Sequence, residues 1–531
     1  MRQTIGVSLL SMLAALVGEI ASVESVAAQS ALGRFASFAD WCTAQTRLSP
    51  EARHTVAVLL QEAKTRECDR AEERLAKRTA LDLTAKQITN VEPFASLTNL
   101  KSLNLSFNQI ANADPLVHLT NLTALDLSFN QIADLAPLSR LRNLTSLQLN
   151  LVNVTALYPN NNQIVDLAPL GHLTNLTDLS LRGNQIADVK SLVHLTHLTA
   201  LNLSGNQIAN AAPLANLSNL TVLDLSDNQI LDTAPLAPLK NLTTLNLSQN
   251  QISDTTPLVQ LNNLIDLEIR DNQIANAAPL ANLTTLRSLD LWGNRVADLA
   301  VLVPLKRLEK LSLGRNQLVD VAPLARMTHL TELYFGFNQI TDAEPLANLT
   351  NLRKLSLGYN RVADVTPLAR LTHLNTLDLL ANQVADISPL ASLTHLTELN
   401  LNKNQVADIS PLANLTKLTW LHIGENQVAD VAPLARLIHL TELGLDENQI
   451  ADISPLARLR KLKWLDLSSN PIVDVRPLAN LTNLEKLYLR YNRIADVSSL
   501  ASLTNLKDLD FNFNPLRDRT CPVQPETICR P

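Results

Sequence analysis

Asn108-Gln-Ile returns as Asn130-Gln-Ile, and from Asn184 to Asn514 an asparagine recurs every 22 residues without a break. A unit that short cannot bury its own apolar side, so it has to stack on copies of itself. The chain is therefore expected to form a solenoid whose coils touch only their neighbours. Its 531 residues then make one elongated array instead of several globular domains. Only 3% of residues are aromatic in a chain that is 46% hydrophobic, which leaves Leu, Ile, Val and Ala to fill the core.

The charge balance narrows the partners. There are 44 basic and 50 acidic residues, a net charge of −6, and no long run of one sign. That excludes the basic footprint nucleic acid requires. Residues 1–28 read as a signal peptide: Arg2, an apolar run from Ile5 to Gly18, then Val26-Ala27-Ala28. The run is too short for a comfortable membrane span, so no membrane insertion is expected after cleavage. Glu19 and Glu24 near the cleavage region leave an uncleaved anchor as the alternative.

The four cysteines all flank the array, Cys42 and Cys68 before it and Cys521 and Cys529 after it. Because the ends of a solenoid lie far apart, the pairing Cys42–Cys68 and Cys521–Cys529 is favoured over a shared zinc site. Disulfides in turn imply an oxidising compartment, secreted or periplasmic. Residues 29–78 read as a helical N-terminal cap. One helix starts at Ser49-Pro50-Glu51 with an N-cap, a proline at the first helical position and an early acid. Cys68 to Lys77 continues as a second helix. Residues 516–531 read as an irregular C-terminal cap closed by the second disulfide.

A representative unit runs from Leu396 to Lys417. Leu399 and Leu401 alternate as in a short strand and point inward. Asn404 turns the chain, its amide free to satisfy backbone groups of the adjacent turn. Asp408 precedes Ser-Pro-Leu and suits the opening of a turn or a short 3₁₀ segment.

These segments resemble leucine-rich repeats of the 22-residue kind, similar to those of bacterial internalins and of the leucine-rich regulatory subunit of protein phosphatase 1. The resemblance spans residues 79–515: 19 asparagine-centred units after a first unit that has Lys86 in place of the asparagine. It implies an α/β solenoid, a right-handed horseshoe with a parallel β-sheet on the concave side and short 3₁₀ or turn segments on the convex side. No sorting motif and no immunoglobulin-like segment follow the repeats, which departs from internalins displayed on a cell wall.

Positions two, four and six before each asparagine should then face the concave side, with the position just before it at the strand exit. In the N-terminal half these slots hold mostly small polar residues. In the C-terminal half they hold Trp292, Arg315, Tyr334, Phe337, Tyr359, Trp420, His422, Trp464, Tyr488, Arg490 and Tyr491, with Glu442 in the same row as Trp420 and Trp464. Three of the four tryptophans and four of the five tyrosines fall there, the composition of a binding hot spot. One slip of the period, near Asn150–Pro159, puts Tyr158 close to the rim that carries Phe107 and Phe129, a secondary candidate site.

No catalytic constellation emerges, and no cofactor or metal is expected. His194 and His197 have zinc-like spacing, but both occupy slots filled by other residues in other units, so they read as convex-face residues. The recurring aspartates read as turn caps. The function expected is non-enzymatic recognition of a protein or peptide on the concave face by a monomer. Carbohydrate binding at the cell envelope and a structural envelope role are the alternatives.

Overall fold

The computed structural model describes residues 35–150, 162–518 and 520–530. The expected leader and the inserted segment with Tyr158 lie outside the described residues. Two compact units are formed, one ending at Leu242 and the other starting at Thr243.

Within each unit a coil consists of a three-residue strand, a turn and a short 3₁₀ segment, as in Glu398–Asn400 followed by Ser410–Asn414. The strands are parallel, and each pairs residue for residue with the strand of the next coil: Ala80 with Ser102 in the first unit, Glu398 with Trp420 in the second. Where the period slips, Ser146 pairs with Asp178 and Leu147 with Leu179. The inserted residues therefore leave the leucine register intact. Leu399, Leu401, Val406, Ile409, Leu412 and Leu415 of one coil are fully or almost fully buried, and within each unit their equivalents stack coil upon coil into a mostly aliphatic core, with Phe94, Phe335 and Phe511 filling leucine slots.

The asparagine does more than close its own turn. The amide of Asn404 donates to the carbonyls of Leu401 at 3.0 Å and Asn402 at 3.2 Å, and also to Leu379 of the preceding coil at 2.9 Å. Its Oδ1 accepts from the backbone of Val384 at 3.0 Å. One side chain thus satisfies backbone groups of two coils beside an apolar core, where an unpaired group is costly. Asp408 accepts from the backbone of Ser410 at 2.8 Å and from its hydroxyl at 3.0 Å, fixing entry into the 3₁₀ segment.

Among the described residues three α-helices precede the first coil: Phe38–Thr43, Pro50–Ala63 and Cys68–Ala76. Ser49 caps the second by accepting from the backbone of Ala52 at 3.2 Å, as its sequence predicts. The first helix is an addition to the sequence reading; Ser37 and Asp40 close a capping box around it. Cys42 and Cys68 are disulfide-bonded across a Cα separation of 5.5 Å, and Thr55 donates to the carbonyl of Asn90 at 2.7 Å. At the other end Cys521 and Cys529 are bonded across 5.8 Å. The tail there is less irregular than expected: Cys529–Arg530 adds a parallel strand to Asp508–Asp510, covering an otherwise open sheet edge.

Candidate functional site

The repeat presents four kinds of outward position. Three lie along the strand, and their side chains stand off the sheet because the leucines between them point inward. The fourth, just before the asparagine, is left-handed. Phe107, Phe129, Phe337, Tyr359, Tyr491 and Phe513 all adopt φ between 53° and 61° there, while Gly183, Gly205 and Gly293 fill the same slot in other coils. A left-handed backbone costs a residue with a Cβ about 1–2 kcal/mol, and bulky residues are uncommon in it. The period alone placed this slot at a strand exit and did not reveal its handedness.

On the sheet face of the second unit the expected aromatic residues separate into two clusters. In one, the indole of Trp292 lies over Gly314, where a built Cβ would fall inside the ring, and reaches Gly336. Trp292 meets Phe337 edge-on at 5.9 Å, and Phe337 stacks on Tyr359 at 4.2 Å with planes 10° apart. Tyr334 donates its hydroxyl to Glu332 at 2.9 Å and has Lys310 over its ring at 5.9 Å. Burial and that carboxylate push the phenol well above its usual range. Arg315 stands exposed in the left-handed slot between them.

The second cluster centres on His422. Its ring lies 3.9 Å from that of Trp420 and 5.0 Å from that of Trp464, with planes 13° and 10° apart. Register explains the sandwich. Trp420, Glu442 and Trp464 are cross-strand neighbours, and Gly444 pairs with His422 and leaves open the space a side chain would take. Burial drives the imidazole down to about 4, so it is neutral at physiological pH. Its Nε2 has no hydrogen-bond partner among the described residues. Trp464 meets Tyr488 edge-on at 6.0 Å. Trp420, His422, Trp464 and Tyr488 are half-buried against one another, and among the described residues only the left-handed slots expose aromatic rings widely.

Beyond Trp464 the face opens into a cavity of about 370 Å³ whose walls include Asp446, Glu447, Asp466, Ser469, Arg490 and Tyr491. Asp446 is pushed up to about 6 by burial first, then by the charges of Asp466, Glu447 and Glu425. Burial also raises Asp466. Arg490 offsets the rise of Asp466 only in part. It lies 3.5 Å from Asp510 and 5.6 Å from the rings of both Tyr491 and Phe513, which stack at 4.3 Å with planes 1° apart. Asp466, Asp510, Phe513 and Arg530 were not singled out from the sequence. Phe513 repeats the slot of Tyr491 one coil later, and that signal could have found it.

In the first unit Phe107 and Phe129 stack at 4.1 Å with planes 24° apart, Phe107 being 54% exposed. The third residue expected there, Tyr158, lies outside the described residues. His197 donates Nδ1–H to the carbonyl of Thr174 at 2.9 Å, as Asn219 does with its amide to Thr196 at 2.8 Å. Histidine and asparagine interchange in this slot because each places one N–H at the same reach. Among the described residues no group of His, Cys, Asp or Glu is placed to hold a metal ion, and no helix is long and apolar enough to cross a membrane.

Models of leucine-rich repeats match residues 79–132, 174–260, 284–414 and 482–519. An internalin (inlF) of Listeria monocytogenes is 35% identical, with a TM-score of 0.50 over 60% of this chain and 88% of its own. Internalin C2 of the same organism is 44% identical over 35% of this chain and 83% of its own, with a TM-score of 0.35. The ectodomain of the Arabidopsis receptor kinase HAESA, solved with an IDA peptide hormone ligand, is 24% identical over 82% of this chain and 78% of its own, with a TM-score of 0.58. No curated protein matches the chain by sequence.

Proposed function

The chain belongs to the leucine-rich repeat family, and on that footing we propose that it is a recognition protein without enzymatic activity. Its partner, a protein or peptide, lies across the sheet face of the second unit. The observation that carries this reading is the Trp420–His422–Trp464 stack. It is a flat, preorganised aromatic platform that is only half-buried, flanked by glycines and acids instead of by more leucine. Large rigid rings of this kind give contact area at small entropic cost. In the HAESA ectodomain the same fold carries a peptide hormone.

The two disulfides support an oxidising address, secreted or periplasmic. We assign the helical segment and the disulfide-closed tail the role of caps for a monomer. Capture from envelope and culture-medium extracts tests the reading, with wild type beside Trp420→Ala/Trp464→Ala. The double variant should lose the partner and keep its melting temperature. Equal capture by both proteins would sink the reading.

A glycan is the second reading, favoured by the exposed stacked pairs Phe337–Tyr359 and Tyr491–Phe513. Salt separates the two. Charged peptide contacts weaken as salt rises, whereas stacking on a sugar ring hardly responds.

A further inference from the structure

The cavity beside the aromatic platform has a chemistry of its own. Glu447, Ser469 and Tyr491 occupy the left-handed slot of three successive coils, so the small Ser469 leaves a gap between a carboxylate and an aromatic ring. That gap spans two strand spacings, roughly 10 Å, which admits one side chain. Phe513 stacks on Tyr491, and Tyr491 is part of the cavity wall. Asp446 and Asp466 line the inner side, and among the described residues no lysine or arginine forms an ion pair with either of them or with Glu447. Two cations line the cavity as well, and each is paired with another carboxylate, Arg490 with Asp510 and Arg530 with Asp508 at 3.3 Å.

We propose that this cavity receives an arginine side chain from an extended basic segment of the partner. The guanidinium would stack on Tyr491 and pair with Glu447 and Asp446. The proposal rests on the reading that the partner lies on this sheet face, and it names the chemistry at one end of that contact. Charge complementarity selects the occupant: three carboxylates without an ion pair, beside the ring of Tyr491, fit a planar cation that can stack and donate to two carboxylates together. A bare metal ion fits less well, because these carboxylates do not converge on a common point. The crowding that lifts Asp446 towards neutrality is relieved when a cation enters.

The test is fluorescence anisotropy of a labelled oligo-arginine peptide on the full chain at low salt, with oligo-glutamate as the negative probe. Tyr491→Gly removes the ring in a backbone conformation glycine favours, so the coil keeps its fold. Asp446→Asn/Glu447→Gln removes the charges. Each variant should weaken oligo-arginine at least tenfold. Asp452→Asn/Asp474→Asn removes as many charges from turn positions outside the cavity and should change affinity less than twofold.

No binding of oligo-arginine to wild type overturns the proposal. Equal weakening by the cavity pair and the turn pair also overturns it, since that would be adsorption to an acidic protein. The outcome is separable from that of the wider reading. A partner lost with Trp420→Ala/Trp464→Ala while oligo-arginine fails to bind leaves recognition standing and removes this proposal. Oligo-arginine held by the cavity of a protein whose partner ignores both tryptophans does the reverse.

Discussion

The imidazole of His422 lies parallel to the indole of Trp464, their centroids 5.0 Å apart, in the space left by Gly444 on the strand between them. Holding that ring neutral has a pH consequence. Its folded value of about 4 is below the 6.5 of the free side chain, so the unfolded chain binds the extra proton between those values. His422 therefore stabilises fully above pH 6.5 and loses that contribution as pH falls through 4. Asp446 acts in the opposite sense. With its value raised to about 6, its contribution is present below pH 3.8 and is lost as pH rises through 6. The groups that bear on it are Asp466, Glu447 and Glu425, all acidic.

The two slopes oppose each other in mildly acidic solution, and single variants should expose each one. His422→Phe should make the protein gain stability on acidification. Asp446→Asn should make it lose stability more steeply than wild type. Each change is on the order of 1 kcal/mol once solvent screening of these half-exposed groups is discounted. Urea midpoints at several pH values would read it. Parallel pH profiles for all three proteins would contradict the electrostatics described.

Asn470 tests the ladder between coils. Its amide donates to Leu445 at 2.9 Å, Leu467 at 3.2 Å and Ser468 at 3.1 Å, and its Oδ1 accepts from the backbone of Ile450 at 2.9 Å. Asn470→Ala should cost about 2–4 kcal/mol by leaving buried backbone groups unpaired. Because repeat proteins open locally, hydrogen exchange is the better readout. The Ile450 amide should lose protection first. Unchanged exchange there would show that water replaces the side chain at no cost.

Gly314 should not tolerate a side chain. Alanine there meets the six-membered ring of Trp292 and must displace the indole from the sheet. A loss of about 1–3 kcal/mol is expected from such overpacking. Tryptophan emission should shift red in Gly314→Ala, and the shift should vanish when Trp292→Phe is added. No shift in the single variant would mean that the indole does not rest on Gly314.

The period told most of the fold. Leu399 and Leu401, Asp408 and the asparagine slots behave as their spacing implies, because stacking of identical coils is dictated by local chemistry repeated many times. Contacts that link one coil to the next were legible only in part. The reach of Asn404 to Leu379 and the sandwich around His422 depend on cross-strand register, which the period fixes but does not display. Pairs such as Tyr491–Phe513 stayed half-hidden because only one member stood out, and the left-handed slot they share has no single residue signature. The cavity gathers Asp446, Asp466 and Arg490 from successive coils, each an ordinary polar substitution when seen alone.

Site-specific photo-crosslinking tests the central claim most directly. Benzoylphenylalanine placed at Glu442, between Trp420 and Trp464 on the sheet, should capture the partner. The same group at Arg436, in the 3₁₀ segment of the preceding coil, should not. A crosslink formed at Arg436 and absent at Glu442 would contradict recognition on the sheet face.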